Sequence, residues 1–493
     1  MMHNQNHSIS HMNLLSRRGF FSKMSTGISG IALATLLDQS AQAEDKKEHT
    51  NATRDHYGLV PRETQLKASA KSVIHLFMNG GPSQMDLFDP KVELDRMHGT
   101  PYFSKIADQV ENPSQAGAIM RSPFQFKQHG KSGIWVSDAL PHLAECVDEI
   151  SVIKSMHTVN ITHEPAIYKI QNGQMLPGHP SIGSWVTYGL GSENQNLPAY
   201  IVLDDPLGLP VNGTQNWQAG YLPQIYQGTR FRSTGAPILN LKPDFKVPES
   251  ISEIQKRFLT GLDQQHLNEH PHDSRLTARI ASYELAARMQ ISASDALDLS
   301  QESLRTQEMY GIGNPVTDSY GRRCLMARRL IERGVRFVQL YINGQIWDNH
   351  ANLSSELKKA CDRTDQPVAA LLKDLKQRGL LDETLVLWGG EMGRLPIAQI
   401  EKGKDAKIAG RDHNKLAMCG WMAGGGVKRG YSLGATDELG FAAVEDRVSV
   451  SEWHATILHL LGLDHNQLSF HRNGLNEKLT GVEKVNIVEK LLA

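Results

Sequence analysis

The sequence predicts an α/β protein, a three-layer α/β/α sandwich around a mostly parallel sheet. Two observations carry this expectation. Short apolar runs alternate with segments of helical spacing. The polar clusters fall just beyond the runs, after Met78, Ile153, Ile342 and Trp388, where open α/β sheets hold their ligands. The first strand is Val73 to Met78, broken at Asn79-Gly80-Gly81-Pro82. A helical stretch near Leu140 to Val147 precedes a strand from Ile150 to Ile153. Its following loop carries His157, Thr158, Thr162 and His163, with Thr162 placed to cap a helix that has Pro165 in its first turn. A short strand, Ala199 to Leu203, leads into a Gly-, Gln- and aromatic-rich excursion from Gly208 to Lys242. Residues Ser250 to Leu299 have few Gly or Pro and read as an inserted pair or trio of helices. Alternation then resumes with helix Ser319 to Arg333, strand Val335 to Ile342, helix Leu353 to Arg378, strands Thr384 to Trp388 and Leu416 to Met422, and helix Glu452 to Leu461 stopped by Gly462.

Composition bounds the function. With 40% apolar and 21% charged residues the chain is globular, not fibrous or disordered. Lys and Arg number 52 against 53 Asp and Glu, so no net field favours nucleic acid or an anionic membrane surface. Cys146, Cys324, Cys361 and Cys419 stand singly, without the spacing of a zinc ribbon or a disulfide framework, and read as buried small hydrophobes. Gly424-Gly425-Gly426-Val427-Lys428 lacks phosphate-loop spacing and reads as a tight turn.

The N-terminus has the order of an export signal: Arg17-Arg18 followed by Phe20-Phe21, a mildly apolar stretch from Met24 to Leu37, then Ala41-Gln42-Ala43. The apolar stretch is too short and too rich in Gly, Ser and Thr to span about 30 Å of hydrocarbon. The expected organisation is a twin-arginine signal over 1–43, a polar lead-in over 44–71 and one domain over 72–493 with the helical insertion near 250–300. The mature chain is then expected in the periplasm or outside the cell, without a stable membrane anchor, its partners being the export machinery and a substrate.

Three clusters offer metal chemistry. Asp348 and His350 form a D-x-H pair in the loop after Ile342, able to give one cation an oxygen and a nitrogen ligand. Gly389-Gly390-Glu391-Met392-Gly393-Arg394 offers Glu391 as a ligand and Arg394 as a fork for an anionic oxygen. Arg411-Asp412-His413 repeats the combination, with Arg411 as a second anion ligand. The loop after Met78 adds Ser83, a conceivable nucleophile, and Asp86, a conceivable ligand. Either residue can equally cap the next helix. Hydrolysis at a metal uses such a set: a cation to polarise the ester or activate a nucleophile, and positive groups to absorb developing charge.

The segments Asn79-Gly80-Gly81-Pro82-Ser83 to Asp86-Leu87-Phe88-Asp89-Pro90-Lys91, Thr162-His163-Glu164-Pro165-Ala166, Trp347-Asp348-Asn349-His350, Gly390-Glu391-Met392-Gly393-Arg394 and Gly410-Arg411-Asp412-His413 resemble the sulfatase-like domain of unknown function 1501, in the alkaline phosphatase superfamily. The resemblance implies an α/β/α sandwich that hydrolyses a small-molecule or glycan sulfate or phosphate ester at a divalent metal, Zn, Mn, Ca or Mg. It implies a nucleophile at a helix N-terminus beside the metal ligands. Asp348, His350, Glu391, Asp412, His413 and Asp86 would form the metal shell, Arg394 and Arg411 would hold the substrate anion, and His163, Thr162 and Arg394 would act in catalysis. Sulfatases carry C-x-P-S-R at the nucleophile position. Here His163 stands for the Cys and Ile167 for the Arg, with Pro165 and Gly173 retained. No formylglycine nucleophile is therefore available. Thr158, Thr162, Ser83 or a solvent nucleophile on the cation remain as replacements, with His163 as ligand, base or nucleophile. The alternative is a non-catalytic exported protein that keeps a degenerate metal or anion site.

Overall fold

The computed structural model describes residues 59–232, 248–270, 274–400 and 408–493, so the signal segment and the first part of the lead-in lie outside the described residues. Two compact units are distinguished. The smaller contains residues 243–276, whose main described element is a helix over Glu249–Glu269; the larger comprises His56–Lys242 and Thr277–Ala493.

The main body is α/β, built on a nine-stranded sheet. The strands of this sheet and of a second, three-stranded one are, in chain order, β1 (Ser72–Phe77), β2 (Ala116–Ile119), β3 (Ile150–His157), β4 (Tyr200–Leu203), β5 (Thr229–Phe231), β6 (Phe337–Leu340), β7 (Thr384–Gly389), β8 (Gly393–Gln399), β9 (Gly410–Asn414), β10 (Met418–Ala423), β11 (Tyr431–Leu433) and β12 (Val448–Ser449). The central order is β11-β3-β10-β7-β1-β6-β4-β5, with β12 also beside β3, while β9-β8-β2 form a separate antiparallel sheet. Ile74 on β1 registers with Val338 and Val386 on its parallel neighbours. Only β10 runs against the rest of the central sheet, antiparallel to both β3 and β7. Every residue of β1, β4, β6 and β10 is buried, which requires cover on both faces and explains why these strands read as continuous runs.

One face is covered by α1 (His163–Asn172), α2 (Ile182–Leu190) and a C-terminal helix over Val450–Leu460. Gln171 of α1 accepts a 2.7 Å hydrogen bond from Gln339 of β6, Gly183 of α2 lies against the Tyr200 ring, and Trp453 of the C-terminal helix meets His75 with ring centroids 5.8 Å apart. Burial, with the nearby His454, pushes the His75 imidazole down to about 3, so it stays neutral and accepts from Gln339. The second helical layer is the pair Asp318–Glu332 and Leu353–Gln377, joined by the buried Arg328–Asp374 pair at 2.9 Å.

As far as residue 232, the aromatic excursion packs on the scaffold. Trp217, Tyr226 and Phe231 are buried in the core, and Phe231 lies on β5, which extends the sheet edge beyond β4. All four cysteines are buried and free. Gly424, Gly425 and Gly426 all have positive φ and make the turn after β10. No described helix is long and apolar enough to cross a membrane.

Candidate metal centre

The centre is assembled from a strand end, a helix start and the small sheet. His163 is the first residue of α1, whose N-terminus follows the loop after β3. Asp348 and His350 lie in the loop after β6, and His413 sits on β9. That loop is stitched to β9: Arg411 N–H donates to the Asn349 carbonyl at 3.0 Å, and Ala351 bridges Ala409. Gly410 permits the approach, because a Cβ there would stand 2.1 Å from the Asn349 oxygen. Gly80 is similarly constrained. Its φ is +109°, and a Cβ would lie 2.5 Å from the Asp348 nitrogen.

Asp348 is the hub. Nε2 of His350 lies 2.9 Å from its Oδ1, Nε2 of His413 3.2 Å from the same oxygen, and Nε2 of His163 3.3 Å from Oδ2. The rings crowd together, with the His413 centroid 4.4 Å from that of His163 and 4.6 Å from that of His350. Each far ring nitrogen lies beside an acceptor, with hydrogen bonds at His163 and His350 and, at His413, a close ion-pair contact without hydrogen-bond geometry. Nδ1 of His163 faces Glu391 Oε1 at 2.6 Å, Nδ1 of His350 contacts the Gln399 amide oxygen, and Nδ1 of His413 contacts the Glu111 carboxylate. Glu391 is itself fully buried and fixed by the Gly80 N–H at 2.9 and 3.2 Å.

With a cation bound, this pattern would favour one tautomer. An acceptor at Nδ1 keeps the proton there and turns the Nε2 lone pair inward. Three such lone pairs aimed at one carboxylate repel unless positive charge lies between them. His163 Nε2 is buried without a hydrogen-bond partner, as is His413 Nδ1, and an unpartnered buried nitrogen facing Asp348 fits a cation's ligand. His163, Asp348, His350 and His413 are close enough to share one ion. Glu111, Asp412 and His413 form a second such group, but a neutral imidazole has one lone pair, so His413 cannot serve both independently.

Without a cation, protons take its place. Burial opposes charge on His163, but the Asp348 and Glu391 carboxylates outweigh it and raise the imidazole to about 9. His350 is raised too, with Asp348 overcoming burial. Asp348 is held far below the usual carboxylate range: burial pushes it up, but the Arg394 charge and the three imidazoles prevail. Two consequences carry a sign. A cation must displace the His163 proton at neutral pH, so Zn²⁺ binding at pH 7.5 is expected to release about one proton or more. Calorimetry in buffers of different ionisation enthalpy measures this, and a buffer-independent heat would contradict it. Because the folded value lies above the ordinary 6.5, metal-free stability from His163 is complete below about pH 6.5 and is lost as pH rises through about 9.

Other expected site residues are placed differently. Asp86 is not in the cluster: its carboxylate takes a bidentate pair from Arg411 at 2.7 and 3.1 Å, both side chains being 0% exposed. Arg411 also donates to the carbonyls of Leu395 and Met120, so it is enclosed and cannot hold a substrate anion. Arg394 is 1% exposed and spends its guanidinium on the carbonyls of Gly80, Gly81, Trp347 and Arg411 and, at 2.7 Å, on Asp348. It holds Asp348 in place and is enclosed. Glu391 stands behind His163 as its acceptor, and Asp412 is occupied by backbone N–H groups of Asn112 and His413 at 3.0 and 2.8 Å. Thr162 is exposed at the start of α1, and its side chain makes no cap bond. Ser83 donates to Asp86 and is buried, while the Thr158 hydroxyl is buried without a partner. Glu111, Gln399 and Gln115 carried no sequence signal. They reach the centre through the small sheet and the segment before it.

The fold and the cluster together define an α/β protein with a candidate three-histidine, one-carboxylate metal centre. The chain belongs to the family described as "Protein of unknown function (DUF1501)", whose model matches residues 70–492. No curated protein matches it. Among solved structures, it is similar to the lipoteichoic acid synthase LtaP from Listeria monocytogenes, at 10% identity and a TM-score of 0.34, covering 87% of this chain and 80% of that one. It is also similar to alkaline phosphatase from the Antarctic bacterium TAB5, at 13% identity and a TM-score of 0.31, covering 74% and 94%. A third likeness is to the PsFucS1 sulfatase from Pseudoalteromonas sp., at 11% identity and a TM-score of 0.33, covering 80% and 68%.

Proposed function

We propose that this chain is a metal-dependent hydrolase of sulfate or phosphate monoesters, with a zinc-type divalent cation on His163, Asp348, His350 and His413. The observation that carries the metal is the convergence of three imidazole Nε2 atoms on one carboxylate, each ring held from behind by its own acceptor. Three nitrogens and one oxygen suit zinc or manganese better than the oxygen-seeking calcium and magnesium. When bound, such a cation would polarise an ester oxygen and ease deprotonation of water. Glu391, Gln399 and Glu111 fix the imidazole orientations. Arg394 keeps Asp348 ionised and in place. His163 is the first residue of α1, so the positive end of that helix lies at the cluster and favours negative charge on a bound group. The family resemblance supports the ester class, and the export-signal order of Arg17-Arg18, the apolar stretch and Ala41-Gln42-Ala43 supports a site of action in the periplasm or outside the cell.

A second reading, a metal-binding protein without catalysis, is favoured by the enclosure of Arg394 and Arg411, which leaves neither arginine to meet an anionic substrate. One experiment separates them. The purified chain, stripped with a chelator and reloaded with Zn²⁺, is assayed on p-nitrophenyl sulfate and p-nitrophenyl phosphate. Turnover lost on stripping and regained on loading is expected. A fully loaded, folded chain that turns over neither ester would select the second reading.

A further inference from the structure

The three imidazoles are not equivalent. His163 is backed by a carboxylate with no solvent exposure, and His413 is backed by the Glu111 carboxylate. His350 is backed by a neutral amide, and its side chain is 31% exposed against 12% for His163 and 4% for His413. We propose that Gln399 is the positioning residue for His350, and that its neutral amide makes His350 the weakest-held imidazole ligand, on the side of the centre that opens to solvent. The inference rests on the metal reading given above.

The arrangement is built across the small sheet. Gln399 ends β8, is 5% exposed, and its Nε2 donates to Gln115 Oε1 at 2.7 Å. Gln115 immediately precedes β2, whose Ala116 is the strand partner of Gln399, and its carbonyl accepts from Ile400 N–H at 2.8 Å. With the Gln399 amide nitrogen donating to Gln115, its oxygen faces His350. That oxygen accepts from Nδ1–H and leaves the Nε2 lone pair for the cation. A carboxylate in the same place would draw the Nδ1 proton more strongly and make Nε2 a better donor, whereas an amide polarises the ring less. With Glu391 and Glu111 behind the other two rings, the ligand set grades from firmly held to exchangeable, and the exchangeable member is also the most exposed.

The test is Zn²⁺ affinity of the full chain at fixed pH, by competition with a chromogenic chelator, with folding checked by circular dichroism and by metal-free unfolding. Gln399→Leu is expected to weaken Zn²⁺ about tenfold or more, the scale on which partners behind metal ligands act. Gln399→Glu should bind at least as tightly as the unaltered chain. Gln115→Leu, a change at a half-buried site that does not threaten folding, should give a smaller loss in the same direction. His350→Ala should lose less affinity than His163→Ala or His413→Ala. Wild-type affinity in Gln399→Leu, equal weakening in Gln399→Leu and Gln399→Glu, or the largest loss at His350 would each overturn the proposal while leaving the metal reading intact. An unaltered chain that binds no Zn²⁺ would overturn both.

Discussion

Replacing Asp348 with alanine is expected to empty the centre of metal and abolish turnover while leaving a folded chain. Three ring nitrogens lie within 3.3 Å of its carboxylate, and among the described residues no other side chain joins all three. Removing a group behind a ligand typically costs 10- to 100-fold in metal affinity, so loss of the hub should cost more than about a hundredfold. The structural cost is smaller. Arg394 loses its carboxylate but keeps the carbonyls of Gly80, Gly81, Trp347 and Arg411, which points to about 1–3 kcal/mol out of a typical 5–15. Asp348→Asn should retain more stability than Asp348→Ala and still lose metal. Elemental analysis beside thermal unfolding reads both quantities. Equal metal in parent and variant would remove Asp348 from the ligand set.

Asp86→Ala is expected to do the opposite, damaging the fold and sparing the metal stoichiometry of whatever remains folded. Arg411 and Asp86 are both fully buried and form a bidentate pair, so removing the carboxylate strands a guanidinium away from water. Breaking such a pair costs about 3–5 kcal/mol, a large part of the total stability. The double change Asp86→Leu with Arg411→Met should recover much of the loss, since apolar replacement of a buried pair is often neutral. A single variant that melts with the parent would show that the pair contributes nothing. One that stays folded and loses metal would restore Asp86 to the centre.

These two aspartates show where sequence is informative. Asp348, two residues before a histidine in a loop beyond a strand, has a pattern that offers it as a candidate ligand, and it lies with that histidine in one cluster. Asp86 and Arg411 lie 325 positions apart, and a loop carboxylate that binds metal looks the same in sequence as one that neutralises a distant arginine. The strand at Ser72–Phe77 was legible because both of its faces are buried and its run is continuous. The end of β3 was not, since Lys154, Ser155 and His157 interrupt the apolar run that defined its start. The reversed direction of β10 has no local signature, because pairing direction is set by its neighbours. Strand β8 contains Pro396 and β9 is Gly-Arg-Asp-His-Asn, so neither has a strand's composition, although together they carry Arg394, Gln399 and His413. The acceptors behind the imidazoles followed that sheet out of view.

The way Arg394 is held bears on which ions the cage can accept. Its guanidinium ties the loops after β1 and β6 to β9 through main-chain oxygens, and fixes Asp348 at 2.7 Å before any ion arrives. Under the proposed metal reading, a ring of donors held by a permanent internal charge would resist moving outward. Zinc, at about 2.0–2.1 Å from nitrogen and 2.0–2.2 Å from oxygen, would suit a tight ring, whereas calcium at about 2.3–2.6 Å would require the ring to expand. Ionic radius would then be a criterion of entry, imposed by a residue that touches neither ion nor solvent.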